Sequence, residues 1–328
     1  MAALKIISII GALLITLYAL GPRTPRPVLD SSLPMVPSGL ARLEQAIQES
    51  EQSFPNIKPD NESRIVWFDS AYTKTEYALV YLPGFTASYA EGDPIHKDFA
   101  RRYGCNLYLP RLYDHGLADD DVYKEFSPDS LLASAAHALA VGQQLGEKVI
   151  LMSCSTGSTL SLLLAAAHPE IAGLITYSPN IEVKNSSMRL LTYPWGVYIG
   201  RLAVGGKYRE YDASAEYKKY WYTRYRVEGL AGLQTLLENG MTPETFSKVQ
   251  QPLFMGYYYK NEAEQDDVVS VPAMLSMYAQ LGTPEALKRK VAFPNVGKHA
   301  LASRITSLDI GSVEAETFRF AEEVLGLR

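Results

Sequence analysis

Short, wholly apolar runs alternate with helix-patterned segments along most of this chain, and that rhythm admits few folds. Ala78-Leu-Val-Tyr-Leu82, Asn106-Leu-Tyr-Leu109 and Lys148-Val-Ile-Leu-Met152 lack the polar alternation of a half-exposed strand. Each is expected to be a strand, as is the run over 171–177, and the continuous apolar run over 78–82 is expected to be covered on both faces. Helical patterns over 94–103, 131–145 and 159–167 separate them, with Ser127-Pro128 as a start signal for the second. An earlier strand is expected over 64–68. Further on, the rhythm resumes with a strand over 252–259, a helix over 271–281, a strand over 291–293 and a helix over 315–325. Strand–helix–strand repeats predict an α/β fold, a mostly parallel central sheet flanked by helices. At 328 residues and 47% hydrophobic side chains the chain can bury such a core.

Two stretches break the rhythm. Residues 182–247 show no clear strand and hold eight tyrosines, Tyr193, Tyr198, Tyr208, Tyr211, Tyr217, Tyr220, Tyr222 and Tyr225, with Trp195 and Trp221. Because strands resume afterwards, this block is expected to be a helical cap inserted into a continuing sheet. The other stretch is at the N-terminus. Residues 6–20 are apolar apart from Ser8, Gly11, Thr16 and Tyr18, with Lys5 before them and Gly21-Pro22-Arg23 after. Residues 1–22 are therefore expected to be a membrane anchor or a signal segment, giving a membrane-anchored or exported protein. Pro22, Pro25, Pro27, Pro34 and Pro37 mark a linker, followed by an amphipathic helix over 40–54. These make up an expected linker unit over 23–63, ahead of the main domain over 64–328.

A net charge of −5 without any Lys/Arg run argues against nucleic acid as a partner. Cys105 and Cys154 offer neither a disulfide framework nor a zinc spacing, and both sit in apolar runs as small hydrophobes would. No metal or cofactor is called for.

The chemistry-bearing segment is Leu151-Met-Ser-Cys-Ser-Thr-Gly-Ser158. An apolar strand runs into small residues and then an apolar helix, the context of a nucleophile elbow, with Ser155 at the apex. Backbone crowds the positions two before and two after the apex; Ser153 and Gly157 are small enough. The competing reading is that Ser155 only caps the helix. A serine needs a base. Of five histidines, His137 and His168 fall in or at the ends of helices, His96 opens one, and His115 lies in a loop. His299 follows the last strand, where α/β sites form, and is the expected base. Its carboxylate should precede it after a strand, which leaves Asp266 and Asp267. Backbone donors for an oxyanion are expected at Thr156, opening the helix, and at Phe85, after Pro83-Gly84.

Order and spacing resemble the α/β-hydrolase superfamily over residues 64–325, in particular its monoacylglycerol lipase, lysophospholipase and serine aminopeptidase-like branch. Carrying the resemblance are Leu82-Pro-Gly-Phe-Thr-Ala-Ser88, Arg111-Leu-Tyr-Asp-His-Gly116, the elbow, Asp266-Asp-Val-Val269 and Gly297-Lys-His-Ala300. It implies Ser155, Asp266 and His299 as a catalytic triad, Asp266 because it stands two residues before paired aliphatics, and His115 as a structural loop residue. The chain departs from the family where Pro83 replaces a common His and Ser153 a common Gly. The implied activity is hydrolysis of a carboxylic ester in a small molecule, lipid-like substrates included. Amide or peptide hydrolysis, with Glu210, Asp212 or Glu216 taking an amino terminus, and an inactive ligand-binding fold are the alternatives.

Overall fold

The computed structural model describes residues 2–328, with side chains from residue 4 onward. Met1, the first residue of the expected N-terminal segment, lies outside the described residues. In chain order the elements are α1 (Ala2–Ala19), α2 (Leu40–Gln52), β1 (Arg64–Val66), β2 (Thr75–Leu82), α3 (Ile95–Arg102), β3 (Asn106–Leu109), α4 (Pro128–Leu145), β4 (Gly146–Cys154), α5 (Thr156–Ala167) and β5 (Gly173–Tyr177). Then come α6 (Gly196–Ala203), β6 (Tyr208–Glu210), α7 (Ala215–Tyr220), β7 (Arg224–Arg226), α8 (Val227–Gly240), α9 (Pro243–Lys248), β8 (Leu253–Tyr258), α10 (Val271–Gln280), β9 (Lys288–Phe293) and α11 (Ile310–Glu323).

Seven strands form one sheet in the order β1-β3-β2-β4-β5-β8-β9, parallel throughout except for β1, which pairs antiparallel with β3 at one edge. The apolar runs are continuous because both faces are covered. Along β2, Ala78, Val80 and Leu82 enter one core, beside α4 and α5 residues such as Leu139 and Leu160. Leu79 and Tyr81 enter the other, with Phe99 of α3 and Phe320 of α11. Strand β4 divides the same way, Val149 and Leu151 against Ile150 and Met152. Helix α4 starts where the sequence signals it: Ser127 Oγ accepts from the Ser130 N–H at 3.2 Å and Pro128 occupies the first turn.

From β2 the chain crosses to β3 on one side, then returns to place β4 on the other. The loops after β2 and β4 therefore meet at the point where the strand order reverses, the usual place for a site in an open α/β sheet.

Between β5 and its sheet neighbour β8, the chain leaves the sheet for the α6–α9 region. This stretch is not free of strands: β6 and β7 form an antiparallel pair, Arg209 opposite Tyr225. Three-residue strands flanked by charges carry no periodicity that a sequence pattern could reveal.

The expected membrane anchor is corrected. Among the described residues no helix is long and apolar enough to cross a membrane. Helix α1 has 18 residues, about 27 Å at 1.5 Å each, against a hydrocarbon core of about 30 Å, and Lys5 lies within it. The membrane-anchored localisation, and the membrane as a partner through this segment, rested on a crossing helix and are withdrawn with it; helix length does not bear on the other reading of residues 1–22, a cleaved signal. The end of α1 is instead tied to the α6 region: Trp195 Nε1 donates to the Leu17 carbonyl at 3.2 Å and the Trp195 N–H to the Pro22 carbonyl at 2.9 Å.

Candidate active site

Strand β4 ends at Cys154, and the chain turns at Ser155 with φ 53° and ψ −120° before α5 begins at Thr156. Those angles belong to the first central position of a type II′ turn, where glycine is usual. A serine held there costs on the order of 1–3 kcal/mol. Neighbouring backbone fixes it: the Ser155 N–H donates to the Tyr177 carbonyl at 2.9 Å, and its own carbonyl accepts from the Asn180 N–H at 3.1 Å. Although Ser155 stands at the N-cap position, its side chain makes no capping bond. Close packing explains the small residues around it. A Cβ on Gly157 would stand 2.0 Å from the Leu82 carbonyl oxygen and 2.7 Å from that of Pro83. Ser153 is fully buried, and its hydroxyl donates to Ser158 Oγ at 3.1 Å.

The loop leaving β2 lies against this turn. A Cβ on Gly84 would come within 3.0 Å of Ser155 Cβ and 2.8 Å of Glu91 Oε1, so only glycine fits. Peptide groups on either side of Phe85 are tied down: the Gly84 N–H donates to Glu91 Oε2 at 2.6 Å and the Thr86 N–H to Tyr123 Oη at 3.0 Å. Between them the Phe85 N–H has no partner among the described residues. The Thr156 N–H is the first of α5, beyond the reach of any intrahelical carbonyl. The Phe85 ring stacks on Tyr123 at 4.5 Å between centroids.

His299 Nδ1 lies 2.7 Å from Asp266 Oδ2, on the loops after β9 and β8. Asp266 is fully buried, and its Oδ1 accepts from the Val268 and Val269 N–H groups at 2.9 and 3.0 Å. Burial pushes the Asp266 carboxyl up, but the His299 ring and those two N–H groups outweigh it, so the group titrates below the usual aspartate range. For His299, burial disfavours the charged ring; the Asp266 charge and hydrogen bond, with smaller help from Glu91 and Asp267, outweigh that and raise its pKa. With Nδ1–H donated to Asp266, Nε2 is left as the free acceptor. It is buried and makes no hydrogen bond, including none to Ser155. The ring's backbone is seated by Ser178, whose hydroxyl donates to the His299 carbonyl at 2.9 Å.

Ser155, His299, Phe85 and Thr86 line one cavity of about 1180 Å³. Its far walls come from the β5–β8 insertion and are mainly apolar, among them Met188, Leu191, Ile199, Leu230 and Tyr225. Asp267 also faces this cavity but is exposed and makes no bond to His299. Glu210, Asp212 and Glu216 do not line it; Glu210 pairs with Arg224 and Asp212 with Lys218.

The other histidines do other things. His115 is buried, its Nδ1 2.7 Å from the Tyr113 carbonyl and its Nε2 3.2 Å from Tyr123 Oη. Because the Tyr113 carbonyl can only accept, His115 carries its proton on Nδ1, and the Nε2 of the neutral ring accepts the Tyr123 hydroxyl proton. Burial holds that ring neutral, its pKa lowered to about 4. His96 is buried against the Tyr89 carbonyl, and His168 bonds the Ser31 carbonyl. Sequence reasoning did not find Tyr123, Glu91 or Asn180. Tyr123 and Glu91 brace the β2 loop, and Asn180 lines the cavity with a buried, unpartnered Oδ1. No local pattern marks any of the three. Both cysteines are free and buried.

No family model matches the chain. A curated relative, the thermostable monoacylglycerol lipase of Bacillus sp. (strain H-257), is 27% identical over 105 residues, 32% of this chain and 41% of the lipase. The match thus spans less than half of that relative's length. Solved structures cover far more. One from the work on the metagenome-derived lipolytic enzymes LipS and LipT superimposes with a TM-score of 0.65 at 17% identity, over 80% of this chain and 98% of that one. A thermostable carboxyl esterase from Bacillus coagulans gives 0.58 at 13% identity over 83% and 97%. The monoacylglycerol lipase of Paleococcus ferrophilus gives 0.55 at 11% identity over 80% and 98%. With its mostly parallel seven-stranded sheet, its strand-to-helix turn at Ser155 and these likenesses, the chain has the α/β-hydrolase fold.

Proposed function

We propose that this protein is a serine hydrolase that cleaves a carboxylic ester through an acyl-enzyme on Ser155. One observation carries the reading. A serine in a strained left-handed conformation, capping nothing, opens onto the same cavity as a histidine whose Nδ1 is bound to a buried aspartate and whose Nε2 is free. In this reading Ser155 Oγ attacks the ester carbonyl carbon as His299 Nε2 takes the hydroxyl proton. Asp266 holds the imidazole in the tautomer that leaves Nε2 as acceptor, and balances the imidazolium. The Phe85 and Thr156 N–H groups receive the oxyanion. Collapse of the tetrahedral adduct breaks the bond to the alcohol oxygen, which His299 protonates. Water, deprotonated by His299, then releases the acid and restores Ser155.

Support for an ester over an amide comes from the cavity. Its walls suit an acyl chain, and none of the three acids considered for an amino terminus faces it. The likeness to monoacylglycerol lipases and a carboxyl esterase points the same way. The insertion between β5 and β8 serves in this reading as the cap that shapes the acyl site. A fluorophosphonate probe should label the wild type, and Ser155→Ala should abolish both labelling and turnover of p-nitrophenyl esters while its circular dichroism is unchanged. Labelling of the variant at the wild-type level would remove Ser155 as nucleophile; faster cleavage of aminoacyl-nitroanilides than of esters would move the substrate to the amide class.

A further inference from the structure

Beneath the loop that follows β2 lies a carboxyl group that the acyl-enzyme mechanism leaves without a task. Glu91 is 2% exposed, in a 3₁₀ turn over Tyr89–Gly92. It also borders the cavity that holds Ser155 and His299. Its Oε2 accepts from the Gly84 N–H at 2.6 Å and from Tyr81 Oη at 3.3 Å. The Cβ position of Gly84 would sit 2.8 Å from its Oε1 and 3.0 Å from Ser155 Cβ, so the Gly84 peptide is clasped between the carboxyl and the serine turn. An acid without a cationic partner is rarely placed so deep. Here it takes the N–H that follows Pro83, a residue with no N–H of its own to tie the loop.

We infer that Glu91 is a positioning residue for the oxyanion site: its carboxyl seats the Gly84 peptide, which fixes where the Phe85 N–H points, and its charge acts on His299 across the cavity floor. The inference rests on the ester-hydrolase reading of the site. The geometry needs an anchor at this place. The Phe85 peptide is bracketed by two bonds, Gly84 N–H to Glu91 and Thr86 N–H to Tyr123. If one is lost, the intervening N–H can swing, and a donor aimed at a developing oxyanion loses most of its value on small displacement. Four groups from the surrounding elements act on the carboxyl: Tyr81 of β2 bonds it, Tyr217 of α7 and His299 line the same cavity with it, and Cys154 ends the neighbouring β4. Of these only His299 gains positive charge. Burial raises the Glu91 pKa to about 7, against the pull of the Gly84 N–H and His299. Its ionised form adds to Asp266 and Asp267 in holding the proton on His299.

Two substitutions separate the roles. Glu91→Gln keeps an oxygen to accept from the Gly84 N–H and removes the charge. Glu91→Ala removes both. The full-length chain is assayed on a p-nitrophenyl ester from pH 5 to 9. Removing the charge lowers the His299 pKa, so the acid limb of kcat/KM should move to lower pH in Glu91→Gln while plateau kcat stays within about threefold of wild type. Glu91→Ala should lose roughly 10- to 100-fold in kcat with KM nearly unchanged, because the misplaced donor acts in the transition state. An unshifted acid limb in Glu91→Gln overturns the electrostatic role, and full kcat in Glu91→Ala overturns the seating role. Should Glu91→Ala fail to fold, a tenfold loss of plateau kcat in the folded Glu91→Gln variant would equally overturn the claim that a retained acceptor suffices. A wild type that neither turns over esters nor takes the fluorophosphonate would instead refute the hydrolase reading.

Discussion

Asp266 and Asp267 are adjacent in sequence and opposite in surroundings. Asp266 is fully buried, with two backbone N–H groups on Oδ1 and His299 on Oδ2; Asp267 is exposed and only borders the cavity. Burying a carboxylate is costly unless its lone pairs are taken up, and at Asp266 three donors take them up. Its depressed pKa keeps it ionised through the pH range in which the proposed mechanism needs His299 as a base. Under the proposed mechanism Asp266→Asn should therefore lower kcat by several powers of ten, about 10⁴ where the same change has been worked through in a serine protease. An asparagine can present its NH₂ to Nδ1 and so turn the imidazole to the wrong tautomer. Asp267→Asn removes only a distant charge and should change kcat less than about threefold. Steady-state kinetics of the two variants on one ester decide this, and a larger loss in Asp267→Asn would reverse the assignment.

The loop after β2 shows how one element borrows its shape from others. Tyr123 Oη takes the Thr86 N–H and gives its proton to His115 Nε2, and His115 passes its Nδ1–H to the Tyr113 carbonyl. Removing the hydroxyl in Tyr123→Phe orphans two buried groups, at about 1–3 kcal/mol for each. It leaves the ring contacts with Phe85 and Phe126 in place. The variant should melt several degrees below wild type and lose kcat more than KM; an unchanged melting point would show that the chain of hydrogen bonds is not needed. Such bracing was invisible in the sequence, because Thr86 lies in the loop after β2 and His115 and Tyr123 in the connection after β3, and only the fold brings the two together. What was legible had local causes. Apolar runs revealed strands covered on both faces, and Ser127-Pro128 revealed the start of α4. Small residues around Ser155 revealed the turn, since Gly157 has backbone oxygens where a side chain would go. His299 was found from its position after the last strand, and the structure brings it to Asp266. The failures also have causes. Residues 6–20 read as a membrane segment because apolar composition alone does not measure a helix against a bilayer. The β6–β7 pair is too short to show a period, and an acid such as Glu91, in Tyr-Ala-Glu-Gly-Asp, looks like any surface glutamate until the fold buries it.

At the scale of the whole molecule, several ionisable groups have been buried against their charge, and they bind stability to pH in opposite senses. His96 and His115 are each lowered to about 4 by burial. Their folded forms favour the neutral ring, so the stability they contribute is full above about 6.5 and is lost as pH falls from there through 4, up to about 3 kcal/mol each. Glu91, raised to about 7, and Asp114, raised to about 6, act the other way. Each is most favourable to folding when protonated, and stability is lost as pH rises from the ordinary carboxyl range through those values. His299, whose pKa is raised, likewise contributes most at low pH and loses its contribution as pH rises through its folded value. Between pH 7.5 and 5.5 the two sets offset one another, so the wild-type melting temperature should change little there. Substituting Glu91 by glutamine removes one of the offsetting groups. The variant should be the more stable protein at pH 7.5, by a margin that shrinks by about 2 kcal/mol on going to pH 5.5, because only the wild type gains from protonating the buried carboxyl. Thermal melts of both proteins followed by circular dichroism across that interval measure the margin directly. Parallel melting curves would mean that Glu91 is ionised with its ordinary pKa in the folded protein, and that the cavity floor is wetter than its burial implies.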